Sequence, residues 1–149
     1  AVRYADLSQD RTLDYVFSWE KMLAMQGNTA PYLQYAVARI HSIFRKAQVL
    51  PTQILSTHYQ PNTDSERSLA RKFLFFPGVI KQTTKELKPH FLGCYLFELA
   101  TEFSSFYNQS KVMVEEEEIK TLRLILCARS LIILQIGMDI LGIETLEEM

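Results

Sequence analysis

The sequence predicts an all-α protein, a helical bundle of about five main helices. Three observations carry this expectation. Apolar residues recur at intervals of three and four over long stretches, as from Leu33 to Phe44 and from Phe91 to Phe106. Capping residues and prolines stand where such stretches begin, at Asn28-Thr29-Ala30-Pro31, Asp64-Ser65 and Pro89. The 149 residues are 48% hydrophobic and 22% charged, with only five Gly and five Pro, which suits one domain with a real core and argues against disorder.

Residues 1–25 read as a connector and residues 26–149 as the helical domain. In the connector, Tyr4-Ala5-Asp6-Leu7-Ser8 and Asp14-Tyr15-Val16-Phe17-Ser18-Trp19 flank a polar turn at Gln9-Asp10-Arg11. Tyr15, Phe17 and Trp19 alternate at period two, which favours a short extended piece. Ser18 can cap a short helix through Trp19, Met22 and Leu23. The segment is too aromatic for a floppy linker and too short to fold alone, so a neighbour in a longer chain is expected.

The first long helix starts at Gly27-Asn28-Thr29-Ala30-Pro31 and continues to Lys46. Asn28 or Thr29 can accept an orphan N–H of the first turn, and Pro31 has no N–H to waste there. Leu33, Val37, Ile40 and Phe44 form its apolar stripe, while Tyr32, Tyr35 and Arg39 cluster on another side. Gln48 to Asp64, with Pro51 and Pro61, reads as a loop holding at most one helical turn, the region of the chain expected to be most mobile. Asp64 or Ser65 then caps a helix carrying Leu69, Phe73 and Phe76, which Phe76-Pro77 ends. A shorter helix runs from Pro77 to about Leu87. Pro89 opens the next, with Phe91, Leu92, Tyr95, Leu96, Leu99, Phe103 and Phe106 on a broad core face, closing at Tyr107-Asn108-Gln109-Ser110. Glu115 to Glu118 suit a helix N-terminus. The helix behind them, Ile119 to Leu141, is apolar nearly all round. Arg129, Gln135 and Asp139 interrupt it, so a central buried helix is expected rather than a membrane span. Gly142 stops it and Ile143 packs back.

The totals limit function. A net charge of −1 is not the footprint of a generic nucleic-acid binder, so any RNA binding needs a local basic face with stacking rings. Nine Phe and seven Tyr supply the rings. Cys94 and Cys127 show no paired spacing, so buried reduced thiols are expected, with no disulfide framework or metal site. The opening residues carry no apolar leader, and a cytoplasmic protein is expected. His41, His58 and His90 are scattered, and neither a phosphate loop nor a nucleophile elbow is present, so no catalytic residue is assigned.

Binding is the better prospect. Tyr32 and Tyr35 can stack unpaired bases, and Arg39 can pair a phosphate or a base edge. Periodicity alone leaves a second reading open, in which both rings are helix-contact residues with satisfied hydroxyls.

Gly27-Asn28-Thr29-Ala30-Pro31-Tyr32-Leu33-Gln34-Tyr35-Ala36, followed by Ala38-Arg39-Ile40, resembles the helix that opens the anticodon-binding (DALR-type) domain of arginyl-tRNA synthetases. Further blocks agree: Val2 to Ser8, Asp14 to Trp19, Pro89 to Tyr107, and Leu141-Gly142-Ile143-Glu144 near Met149. The resemblance implies an anticodon-binding domain that contacts the anticodon loop of arginine tRNA through Tyr32, Tyr35, Arg39, Tyr107 and Met149, with Arg45 or Lys46 on the backbone. It also implies a monomeric parent enzyme that joins arginine to tRNA using ATP and Mg²⁺. The signatures of its catalytic core are absent here, so this stretch should be inactive alone and hold no cofactor. Two departures bear on the site. His41 stands where an arginine is expected, and Leu146-Glu147-Glu148-Met149 lacks the usual proline and basic residue. The competing readings are a helical protein-interaction module and the equivalent domain of another class I synthetase, such as the cysteinyl enzyme.

Overall fold

The computed structural model describes residues 1–149 except 13, 15, 16 and 55–59. The described residues form α1 (Val2–Leu7), α2 (Trp19–Met22), α3 (Ala30–Ala47), α4 (Asp64–Glu86), α5 (His90–Gln109) and α6 (Glu117–Ile140), with a 3₁₀ turn at Pro51–Gln53 and no strand. The all-α bundle is as expected. Its main helices number four rather than five, because the two segments meeting at Pro77 are one helix.

That correction has a physical cause. Pro77 lies inside α4, where its missing N–H and its ring oppose a continuous helix by about 3 kcal/mol. Packing overrides it. Phe73, Phe76, Val79 and Ile80, from both sides of the proline, are half-buried against the core. Phe76 stacks on Tyr95 of α5 at 5.7 Å, and the Tyr95 hydroxyl donates to the Lys72 carbonyl at 2.9 Å, close to the carbonyl that Pro77 leaves unpaired. The start of α4 also differs. Thr63, not Asp64 or Ser65, is the cap, and its hydroxyl accepts the Glu66 N–H while Glu66 accepts the Thr63 N–H in return.

α1 is tied to the bundle through Tyr4 and Arg3. Tyr4 of α1 is fully buried, its hydroxyl 2.6 Å from Asn28 Oδ1 and 3.0 Å from the Gly93 carbonyl. Arg3 donates to the Gly142 carbonyl at 2.6 Å. Ser18 caps α2 by accepting the Lys21 N–H. The expected alternation of Tyr15, Phe17 and Trp19 falls partly outside the described residues; Phe17 and Trp19 are exposed and meet edge-on at 5.0 Å. In the loop, the Pro51–Gln53 turn is the expected short helical turn, and residues 55–59, His58 among them, lie outside the described residues.

α3 starts where its sequence says it should, with the Thr29 hydroxyl accepting the Tyr32 N–H and Asn28 left to hold Tyr4. Leu33, Val37, Ile40 and Phe44 are all buried against α5 and α6. By length and hydropathy α6 could cross a membrane, but 61% of its apolar window is buried within the bundle, as a central helix requires. Gly142 ends it with φ +65°, its N–H bonded to the Asp139 carbonyl and that of Ile143 to Met138. One cysteine expectation fails. Cys127 is buried, but Cys94 is exposed on α5, because it falls outside the face that Tyr95 and Leu96 turn inward.

The crossing of α5 and α6 depends on Gly137. A methyl group added there would lie 2.5 Å from Leu96 Cδ2, and Leu96 is fully buried. Overpacking of this kind costs about 1–3 kcal/mol, against up to about 1 kcal/mol gained in helix propensity. Gly137→Ala should therefore lower stability by about 1 kcal/mol, read as a fall of about 2–4 °C in thermal denaturation.

Candidate nucleic-acid interface

Tyr35 and Arg39 lie one turn apart on α3, so their side chains can meet. Arg39 Nη2 donates to the Tyr35 hydroxyl at 2.6 Å, and the guanidinium carbon lies 4.6 Å from the Tyr35 ring centroid. The same guanidinium lies 5.3 Å from the ring of Tyr107, at the end of α5. Tyr107 is stacked in turn on Phe103, which is fully buried. A cation thus lies within reach of two phenol rings, one of them braced from the core. Tyr35 is 38% exposed, so its ring retains an open surface.

Tyr32 departs from expectation. It is half-buried, its ring edge-on to Phe97 at 5.7 Å and its hydroxyl 3.4 Å from Ser104 Oγ, both on α5. The core is wider than the apolar stripe of α3, because α5 runs close beside it. Tyr32 is thus packed on α5, and the second ring beside Arg39 is that of Tyr107.

The segment after α6 returns along α3 and reaches this face. Gln34 donates to the Glu144 carbonyl at 2.9 Å, and Arg45 to the Glu147 carbonyl at 3.1 Å. Met149, 61% exposed, thereby shares a hollow of about 440 Å³ with Tyr35, Arg39, Ser42, Arg45 and Glu148. Arg45 Nη1 also lies 3.5 Å from Glu148 Oε1. Lys46 is exposed on the same side of the helix as Tyr35 and Arg39. His41 is not a substitute cation. Burial pushes its imidazole below the ordinary range, and Arg45 adds to that effect against the opposing pull of Glu147, so it is neutral near pH 7. The positive charge of this face comes from Arg39, Arg45 and Lys46.

Tyr35, Arg39, Tyr107, Met149 and Arg45 are thus brought together, although Tyr35 and Tyr107 are far apart in sequence. Periodicity could not have paired them; the family likeness was the signal that did. The arrangement suits a single-stranded nucleic acid: ring surface for a base, a fixed guanidinium for a phosphate or a base edge, and a hollow beside both.

A family model described as the DALR anticodon binding domain matches residues 33–149, a span that contains all five of those residues. Among curated proteins, the arginine–tRNA ligase of Mannheimia succiniciproducens is 48% identical over 149 residues, and that of Vibrio parahaemolyticus 47% over 150. The whole of this chain is matched in both cases, and it spans 26% of the length of each relative. Among solved structures, the arginyl-tRNA synthetase of Plasmodium falciparum superposes with a TM-score of 0.89 at 34% identity, over 99% of this chain and 26% of that one. The Thermus thermophilus arginyl-tRNA synthetase gives 0.87 at 31% identity, with the same coverage of each chain.

Proposed function

The chain belongs to the DALR anticodon binding domain family, and from that premise we propose that it grips the anticodon loop of arginine tRNA on behalf of a longer arginine–tRNA ligase. One observation carries the reading: the Arg39 guanidinium meets both the Tyr35 and Tyr107 rings and lines a hollow with Tyr35. A base released from its stack lies on the open surface of Tyr35. Arg39, already oriented by two rings and a hydroxyl, pairs a phosphate or a base edge without first losing side-chain freedom. Met149 offers an apolar contact, Lys46 and Arg45 attract the backbone, and Tyr32 holds α3 against α5 beneath the site. Relatives that are arginine–tRNA ligases favour arginine tRNA over the substrates of other class I synthetases.

The ligation of arginine, with its ATP and magnesium, is assigned to the remainder of a monomeric cytoplasmic parent. This stretch is proposed to be inactive alone, with residues 1–25 as the connection and α1 clamping it to the bundle. The test is a titration of the parent protein with arginine tRNA and with the same tRNA carrying a different anticodon, at several salt concentrations. The expected result is binding about five- to a hundred-fold weaker for the altered anticodon, the loss of one base-edge contact being worth about 1–3 kcal/mol. Affinity for both should fall steadily as salt rises. Equal affinity for the two tRNAs, or binding indifferent to salt, would favour a helix-docking module instead.

A further inference from the structure

We propose that Glu148 sets the strength of RNA binding by competing with an RNA phosphate for the guanidinium of Arg45. The inference rests on the reading of the Tyr35–Arg39–Tyr107 face as an RNA grip and deepens it. Arg45 is not free to meet a ligand. Its Nη1 donates to the Glu147 carbonyl at 3.1 Å and lies 3.5 Å from the Glu148 carboxylate. The same carboxylate lines the hollow that Tyr35, Arg39 and Met149 share. RNA backbone entering that hollow therefore meets a negative charge, and it meets an arginine already engaged.

The engagement is built to be reversible. The side chains are 49% and 78% exposed, and a pair this open to water is weak. A phosphate can be the stronger partner, since it can take the guanidinium through two parallel bonds, whereas Glu148 meets Arg45 at Nη1 alone and at 3.5 Å. Glu148 thus occupies Arg45 in the free protein and yields it when RNA binds. The neighbouring groups reinforce this division. His41 is neutral, so the cation that Glu147 and Glu148 meet is Arg45, while Arg39, lining the same hollow, is engaged by Tyr35. The carboxylate weakens the sequence-independent part of binding, which phosphates dominate, and leaves stacking on Tyr35 untouched.

Glu148→Gln keeps the shape and removes the charge. In the full-length parent protein, filter binding of arginine tRNA between about 50 and 200 mM salt should show the variant binding about two- to five-fold tighter at the low end. The slope of log affinity against log salt should steepen by up to about 0.7, the value of one phosphate charge on a single strand, because no freed carboxylate takes up a cation when Arg45 passes to the phosphate. Arg45→Ala introduced with Glu148→Gln should abolish both gains. A Glu148→Gln protein that binds no better, or binds worse because the segment carrying Met149 has come loose, overturns the proposal. Tyr35→Ala separates the two levels. If it still weakens binding while Glu148→Gln does nothing, the RNA grip stands and the competition is wrong. If neither variant changes binding, both are wrong.

Discussion

Arg123→Ala is expected to destabilise the bundle by about 3–5 kcal/mol, a fall of roughly 10 °C or more in thermal denaturation. Glu66, at the start of α4, is 1% exposed. Its Oε1 accepts from Arg123 Nε at 2.9 Å, and its Oε2 accepts the N–H groups of Asn62 and Thr63 at 2.8 and 3.1 Å. Arg123 also donates to the Lys111 carbonyl at 2.7 Å, so one guanidinium joins α6, the start of α4 and the turn before α6. Removing it leaves a carboxylate in the interior without its counter-charge. Replacing both partners together, as in Glu66→Leu with Arg123→Met, should be far milder, because the buried charge goes as well.

The same pair fixes a pH dependence of definite sign. Burial alone would raise the Glu66 pKa, but Arg123 and the two backbone N–H groups outweigh it and hold the carboxyl below its ordinary value of 4.5. A carboxyl depressed in the folded state contributes stability above its unfolded pKa and loses it as the pH falls through the folded value. The native protein should therefore lose stability below about pH 4.5. In Arg123→Ala, burial is no longer opposed by the guanidinium, so the pKa rises and protonation relieves the strain. The gap between variant and native protein should narrow in acid. Denaturation midpoints from pH 7 to pH 4 measure this, and a gap that widens would show that Glu66 is not the group responsible.

These features divide into what local sequence can reveal and what it cannot. The start of α3 was legible because Thr29 and Pro31 act within one turn, and its buried stripe because Leu33, Val37, Ile40 and Phe44 repeat at helical spacing. Gly142 ended α6 for the same local reason. Pro77 misled because its local preference is strong, whereas the packing of Phe76 on Tyr95 that overrides it comes from another helix. The Thr63 cap was missed among adjacent candidates of similar chemistry. The Glu66–Arg123 pair spans 57 residues and has no sequence signal. At the site, Tyr32 lies about 100° from Leu33 on the helix wheel, nearer the apolar stripe than Tyr35 is. How far a core extends past such a stripe depends on the neighbouring helix, and α5 covers Tyr32 while leaving Tyr35 open.

The functional consequence concentrates on Arg39. In the parent enzyme Arg39→Ala should raise the KM for arginine tRNA by about ten- to a hundred-fold, as expected for a charge-assisted contact worth about 1–3 kcal/mol. The kcat at saturating tRNA should change little, since the reaction is assigned to a distant part of the protein. Stability should fall by no more than about 1–2 kcal/mol, because the two ring contacts are near the surface and worth about 0.5–1 kcal/mol each. Two further substitutions identify which property of the arginine matters. Arg39→Lys keeps the charge but loses the planar fork that meets the Tyr35 and Tyr107 rings and can pair an anion through two bonds. It should recover only a small part of the affinity. Tyr35→Phe removes the hydroxyl that accepts from Arg39 at 2.6 Å yet keeps the stacking surface. Its loss should be about two- to three-fold, the scale of one exposed hydrogen bond. Were Arg39→Lys to bind as well as the native enzyme, the two rings would have no part in presenting the cation, and Tyr107 would be only a brace between helices.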